Sequence, residues 1–139
     1  MRKIWIMAAL GFGVTVSTVQ VSAADPTAQP VEICAEAAER LKSVEPDPAV
    51  DPKAVVVLTY KFNFCPKELT IKAGTKVQWV NVEKRTNHSV WLKDAGIDES
   101  ARFFPGDGWR HTFEKAGKYP YLCGPHGVDE KMTGLITVE

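Results

Sequence analysis

The chain has 139 residues, of which 45% are hydrophobic and 24% charged, with 17 basic and 17 acidic side chains. This composition is typical of a globular domain and excludes a disordered chain. The charges balance and no Arg or Lys cluster occurs, so the sequence gives no electrostatic support for nucleic-acid binding.

Residues 1–24 have the three parts of a secretory signal peptide. Arg2 and Lys3 form a charged head, residues 4–16 are an apolar run, and residues 21–24 form a small-residue cleavage site. Glycines and hydroxyl residues interrupt the apolar run, which favours cleavage over a retained anchor. Cleavage after residue 24 leaves 115 residues, enough for one domain, and a net charge of −2. We therefore expect a periplasmic protein with no membrane attachment.

Residues 25–53 are predicted to be a leader that contains one short helix. The stretch 31–42 is rich in good helix formers, and its apolar side chains recur at helical spacing on one face: Cys34, Ala37, Ala38 and Leu41. Three prolines between residues 46 and 52 prevent the helix from continuing. Residues 43–53 are therefore expected to form an extended linker.

Residues 54–139 are predicted to form a single β domain. Short apolar segments alternate with turn signals; the segments are 54–60, 68–72, 76–82, 88–92, 109–114, 118–123 and 133–138. In the third segment Val77 and Trp79 face one side of a strand and Gln78 faces the other. Many strands of this length indicate an all-β fold, either a β-sandwich or a barrel.

Three potential metal ligands lie within ten residues near the end of the chain. Cys123, His126 and Met132 occupy the loop between the last two predicted strands, and His88 stands at the start of an earlier one. Two imidazoles, one thiolate and a more distant thioether are the donor set of blue copper sites. Soft sulfur ligands suit Cu(I) and imidazoles also suit Cu(II), so one rigid cage can serve both oxidation states.

The stretch from Phe64 to Glu139 resembles the small blue copper proteins (cupredoxins) of the plastocyanin, pseudoazurin and amicyanin type. The matching pieces are Pro66 and residues 69–71, 74–75, 77–81, 87–90, 113, 117–119, 121–123, 125–126 and 132–134. The resemblance implies a cupredoxin-like Greek-key β-sandwich or barrel preceded by the short helix. It also implies one type 1 copper, with His88, Cys123 and His126 as equatorial ligands and Met132 as the axial ligand.

The chain departs from the family pattern at two places. Five residues separate His126 from Met132, more than in these relatives, and the longer loop bears on the copper–thioether distance. Ser89 follows the first histidine where many relatives have Asn. The hydrogen bonds that tie this segment to the cysteine loop are therefore left open by the sequence.

Each candidate ligand also has an ordinary alternative. Cys123 could be half of a disulfide, the usual state of an exported cysteine, and Met132 could fill the core. His88 and His126 could be ordinary polar residues. The order of Cys, His and Met in one loop favours the ligand roles, because the alternatives leave it unexplained. His111, which lies on a predicted strand, is expected to be solvent-facing or structural.

With Cys123 on copper, Cys34 and Cys65 make an even pair in an oxidising compartment. The hypothesis is a disulfide that clamps the N-terminal helix onto the β domain. By chain-entropy reasoning, closing this loop contributes roughly 3–4 kcal/mol to stability. The alternative is a pair of buried free thiols.

The resemblance implies a monomeric periplasmic one-electron carrier without enzymatic activity. Its copper cycles between Cu(I) and Cu(II), and its partners are redox proteins such as a c-type cytochrome or a periplasmic dehydrogenase or reductase. Three histidines cannot supply the extra copper sites of a multicopper enzyme. The alternative is a periplasmic copper-binding protein for storage, delivery or sensing. A structural zinc site is disfavoured because zinc is normally bound by cysteine, histidine or carboxylate and not by thioether.

Overall fold

The computed structural model describes residues 28–139, and the predicted signal peptide lies outside the described residues. The described chain begins with helix α1 (Ala28–Leu41), which starts slightly before the predicted helix. The helix ends before the prolines that the sequence marks as breakers. Within residues 28–139, no helix is long and apolar enough to cross a membrane.

Seven strands follow α1 in the described chain and form two sheets. In chain order they are β1 (Val55–Tyr60), β2 (Asn63–Cys65), β3 (Glu68–Ile71), β4 (Thr75–Asn81), β5 (Gly108–Phe113), β6 (Gly117–Leu122) and β7 (Thr133–Val138). One sheet has the order β2-β1-β4-β5 and the other β3-β7-β6. The pairs β1–β4 and β3–β7 are parallel and the remaining pairs are antiparallel. The predicted all-β sandwich is confirmed.

Two segments differ from the strands that the sequence predicts. Residues 88–92 form two isolated bridges instead of a strand, because His88 pairs with Phe103, which lies in a loop, whereas Trp91 pairs with Leu122 of β6. A segment that changes partners within four residues cannot sustain one ladder. Strand β2, which the sequence analysis does not predict, pairs with β1 across a two-residue turn.

The two sheets bury the larger of two hydrophobic clusters between them. We call this cluster the sandwich core; its buried members are Val57, Phe64, Ile71, Val77, Trp79, Val90, Leu92, Phe103, Phe113, Tyr121, Cys123, Met132, Ile136 and Val138. The predicted alternation in β4 is confirmed, since Val77 and Trp79 both face this core. Two of the candidate ligands, Cys123 and Met132, belong to it.

The opposite face of the first sheet is covered by α1 and forms a second cluster. We call it the helix core; its buried members are Ala37, Leu58, Tyr60, Cys65, Val80 and Val82. Strand β1 is buried on both faces, with Val57 in one core and Leu58 in the other. This explains why its sequence is a continuous apolar run rather than a polar–apolar alternation.

The segment between α1 and β1 lies across the same outer face. The buried amide of Gln78 accepts a hydrogen bond from the Asp51 N–H (2.9 Å) and donates one to the Pro48 carbonyl (2.9 Å). Lys76 adds an ion pair with Asp51 (2.8 Å). The predicted linker is therefore extended but attached to the sheet by side chains of β4.

Candidate metal centre

The loop between β6 and β7 is closed by main-chain hydrogen bonds around its candidate ligands. The Cys123 carbonyl accepts from the N–H groups of His126 (3.2 Å) and Gly127 (2.6 Å). The His126 carbonyl accepts from Glu130 (3.2 Å) and Met132 (3.1 Å), and the Cys123 N–H donates to the Met132 carbonyl (3.0 Å). The backbone therefore fixes the three predicted ligands of this loop relative to one another.

His88 reaches the same end of the sandwich from the segment that follows β4. Its main chain exchanges both hydrogen bonds with Phe103 (3.1 and 2.9 Å), and Trp91 exchanges both with Leu122 (2.9 and 3.2 Å). Leu122 directly precedes Cys123, so this second bridge brings the His88 segment alongside the cysteine loop. The His88 side chain is fully buried there.

The side chains of His88, Cys123 and His126 converge on one point. Their ligand atoms all lie within 4.8 Å of one another. The Cys123 Sγ is 3.7 Å from the His88 Nδ1 and 3.4 Å from the His126 Nδ1. A metal ion typically lies about 2.0–2.1 Å from a histidine nitrogen and about 2.3 Å from a cysteine sulfur. If the two bonds meet at about 110–120°, the nitrogen and the sulfur are about 3.6–3.8 Å apart. The three residues therefore have the spacing of ligands around one ion.

The protonation states of these groups also suit a metal. Burial, and secondarily the nearby His126, lowers the pKa of His88 to about 4, so its ring is neutral at pH 7. Burial raises the pKa of the Cys123 thiol, so a bound metal must displace its proton. The His88 Nε2 has no hydrogen-bond partner among residues 28–139, and the Glu83 Oε1 lies 3.7 Å from it. The donor set and its charge state thus fit a thiolate–imidazole metal site.

Met132 lies beside this cluster in the sandwich core. Its side chain is 1% exposed, and its backbone is hydrogen bonded to both Cys123 and His126. The loop with five residues between His126 and Met132 thus still brings Met132 back to the cysteine. The axial role of its thioether remains a prediction.

Ser89 supplies the tie between the two ligand segments that the sequence left open. Its Oγ accepts a hydrogen bond from the Gly124 N–H (2.9 Å) and donates one to the Glu99 Oε1 (2.6 Å). Its backbone N–H points to the Cys123 Sγ at 3.4 Å. Serine is shorter than the asparagine of many relatives, and here the carboxylate of Glu99 completes the connection.

The remaining histidine and cysteines lie away from the metal cluster. His111 is on β5, where its ring stacks on Trp109 at 10° between planes, in agreement with the predicted structural role. The predicted disulfide between Cys34 and Cys65 is present. Cys123 is a free, buried thiol, which excludes its alternative assignment as a disulfide half in this structure.

Two residues near the cluster were not predicted from the sequence to take part in it. Phe62 packs its ring edge-on against His126, with 4.9 Å between ring centroids. Glu99 donates no ligand atom but accepts a hydrogen bond from the Ser89 hydroxyl. Neither residue belongs to a motif, and each makes its contact with a residue ten or more positions away, so no local signal identifies them.

Comparison with known proteins agrees with this geometry. The family model for copper binding proteins of the plastocyanin/azurin family matches residues 53–139. The chain belongs to this family. The match includes all four predicted ligands and begins after α1, so the cupredoxin assignment is confirmed and the helix lies outside the matched region. Copper is the metal that His88, Cys123 and His126 are placed to bind.

Individual relatives give the same result. Amicyanin of Paracoccus versutus is 38% identical over 96 residues, covering 65% of this chain and 68% of that protein. Plastocyanin of Scenedesmus fuscus is 35% identical over 85 residues, covering 55% of this chain and 86% of that protein. The crystal structure of amicyanin from Paracoccus versutus matches with a TM-score of 0.59 at 35% identity, covering 68% of this chain and 89% of that chain.

Proposed function

We propose that this chain is a periplasmic one-electron carrier with a single type 1 copper, held by His88, Cys123 and His126 and axially by Met132. The observation that carries the proposal is the convergence of two imidazole Nδ1 atoms on one buried thiol. Copper held by these residues would supply one-electron chemistry between Cu(I) and Cu(II).

The protein contributes a rigid and dry cage. His88 and Cys123 are fully buried, and main-chain hydrogen bonds hold both segments that carry them. A cage that is fixed in this way changes little between the two oxidation states, which keeps the reorganisation small. The buried surroundings also keep water away from the thiolate side.

The electron route is the ring of His126. Of the three converging ligands, His126 is the one that is only half-buried. Two exposed apolar residues lie beside it: Val128 follows it by two positions in the chain, and Phe62 contacts its ring. A redox partner, such as a c-type cytochrome or a periplasmic dehydrogenase or reductase, would dock against this end. The protein would act as a monomer and would catalyse no reaction of its own.

A visible spectrum of the copper-loaded protein tests the proposal. We expect a strong blue absorption with Cu(II) that ascorbate bleaches, lost in Cys123→Ser and retained in the control His111→Ala. Met132→Ala should keep the colour and raise the reduction potential, because removing the weak axial sulfur disfavours Cu(II). A colourless wild-type complex would contradict the proposal.

The same sample distinguishes storage or delivery from electron transfer. Copper held by buried ligands should leave slowly when a chelator is added, and it should accept and release electrons reversibly. Copper that is surrendered rapidly without a reversible redox couple would instead favour the delivery function. The full burial of two of the three ligands is the observation that favours the carrier.

A further inference from the structure

The turn between β1 and β2 places a phenylalanine in a backbone conformation that side chains rarely adopt. Lys61 and Phe62 have φ values of +47° and +58°, the left-handed region that two-residue hairpin turns require. Glycine or asparagine normally occupies such positions, and a bulky residue there is an outlier. Contacts outside the turn must therefore offset the unfavourable conformation of Phe62.

The Phe62 ring contacts the histidines of the metal site. It packs edge-on against His126, with ring centroids 4.9 Å apart and 67° between planes, and lies 6.5 Å from the His88 ring. Phe62 is 36% exposed, so one side of its ring covers His126 and the other meets solvent. The position of this turn thus determines how much of the His126 ring is open to solvent.

Side chains of α1 hold the first half of the turn. The two carboxylate oxygens of Glu36 accept hydrogen bonds from the Tyr60 hydroxyl (2.5 Å) and the Lys61 Nζ (2.6 Å). The Lys61 N–H donates to the Glu83 Oε1 (2.5 Å), the carboxylate nearest to the His88 Nε2. Tyr60 and Lys61, which precede Phe62, therefore cannot move without breaking contacts to α1 or to Glu83.

The disulfide holds the second half. Cys34, two residues before Glu36 on α1, is bonded to Cys65 at the end of β2. Helix α1 is thus attached to both strands of the hairpin, on either side of the Lys61–Phe62 turn. The helix precedes residue 53, where the match to the copper-binding family begins, so this attachment is additional to the family domain.

We propose that α1, through Glu36 and the Cys34–Cys65 disulfide, positions Phe62 against His126 and so controls the exposure of that ligand. Phe62 is a positioning residue, and α1 is the support that keeps its strained turn in place. The inference builds on the proposed function, because it assigns a role to the ring through which the electron is expected to pass. The contacts join protein side chains only, so the copper-free protein can be used to test them.

The rate at which diethyl pyrocarbonate modifies His126 in the copper-free protein measures this exposure, with peptide mapping to separate it from other histidines. Phe62→Ala sets the rate for an uncovered ring. Glu36→Gln keeps the shape of the side chain but removes its charge. Losing an interaction as strong as an exposed ion pair increases the fraction of molecules with an uncovered His126 ring by up to about fivefold. We therefore expect the modification rate of His126 to rise up to about fivefold in Glu36→Gln.

Glu39→Gln is the matched control, since Glu39 lies on the same helix and pairs with Lys42, the residue that follows the helix. It should leave the His126 rate unchanged. The double variant Cys34→Ser/Cys65→Ser should raise the rate as Glu36→Gln does, with circular dichroism showing that each variant is folded. Nuclear Overhauser contacts between the Phe62 and His126 rings should weaken in parallel.

Wild-type rates in both Glu36→Gln and the double cysteine variant would overturn the proposal and leave α1 with a stabilising role alone. An unchanged rate in Phe62→Ala would overturn it as well. Neither measurement uses copper, so a failure here is distinguishable from a failure of the carrier function, which the blue absorption of the loaded wild-type protein tests separately.

Discussion

The two hydrophobic cores of the molecule are held together in different ways. The sandwich core has fourteen buried residues from both sheets, and it includes two of the predicted copper ligands. The helix core has six, and α1 contributes Ala37 alone to the fully buried set. The smaller cluster is reinforced by the disulfide between Cys34 and Cys65 and by the hydrogen bonds of Glu36. Small cores need such cross-links because apolar burial alone contributes too little.

Because the two cores are supported differently, the backbone around the metal site depends little on α1. The backbone of the cysteine loop and of residues 88–92 is held within the sandwich core by main-chain hydrogen bonds. Helix α1 reaches the backbone of the preceding segment at Val82, whose carbonyl accepts a hydrogen bond from the Arg40 Nε (2.5 Å). The Lys61–Phe62 turn is the place where the helix side reaches the histidines. Substitutions that weaken the helix core should therefore leave copper binding intact, whereas they should increase the exposure of the His126 ring.

The strongest way to break the helix core is to remove its disulfide. Cys34→Ser/Cys65→Ser opens a cross-link with a sequence separation of 31 residues. We expect the free energy of unfolding to fall by about 3–4 kcal/mol, measured by denaturant titration of the copper-free protein. Chemically reduced wild type is the control and should show the same loss. The blue absorption of the copper-loaded variant should persist, and its disappearance would contradict the separation of the two cores.

Acid should destabilise the sandwich core through His88. Burial lowers the pKa of His88 to about 4 in the folded chain from an ordinary value of 6.5. As the pH falls through this window the unfolded state takes up the proton first, so folding stability is lost between about pH 6.5 and 4. This group alone accounts for roughly 3 kcal/mol, because one unit of pKa shift corresponds to about 1.4 kcal/mol.

Denaturant titrations of the copper-free protein across this pH range measure the loss. The His111→Ala variant should still show most of this acid-induced loss of stability, because the ring of His111 lies on β5 outside the metal cluster. With copper bound, the folded state holds no proton on the ligated nitrogen even below about pH 4, whereas the unfolded state still takes one up, so the loss should be at least as large and should continue below about pH 4. A loss that levels off near about pH 4 both with and without copper would show that His88 does not bind the metal.

Sequence reasoning works best where one pattern determines the structure. The alternation of Val77 and Trp79 predicts the core face of β4, and the order of Cys123, His126 and Met132 predicts a single ligand loop. Both inferences need only local spacing and the chemistry of the side chains. The disulfide likewise follows from the cysteine count once Cys123 is assigned to copper.

The same reasoning fails where distant side chains decide the structure. The pattern predicts that Gln78 faces away from Val77 and Trp79, but it does not predict that residues 48–51 cover and hydrogen bond its amide. Phe62 covers His126 only because α1 holds a turn that lacks the usual Gly or Asn. The replacement of Asn by Ser89 becomes intelligible once Glu99 is seen to reach it. No local period or motif encodes such contacts.

The smallest expected effect concerns Ser89 and Glu99, which connect the His88 segment to the cysteine loop. A Cβ added to Gly124 would lie 1.9 Å from the Glu99 Oε1. Because this carboxylate ends a flexible side chain, we expect Glu99 to swing away in Gly124→Ala and to give up its hydrogen bond to Ser89. The free energy of unfolding should fall by about 1–2 kcal/mol.

A double-mutant cycle with Glu99→Ala isolates this contact. In the Glu99→Ala background the Gly124→Ala change should cost less, because neither the clash nor the hydrogen bond remains to be lost. Glu130→Ala, an exposed acidic residue of the same loop, should leave the Gly124→Ala penalty unchanged. An equal penalty in both acidic backgrounds would mean that the backbone of the cysteine loop, and not Glu99, requires glycine at this position. The connection between the two ligand segments would then depend on the hydrogen bond from the Gly124 N–H to the Ser89 Oγ, without a contribution from Glu99.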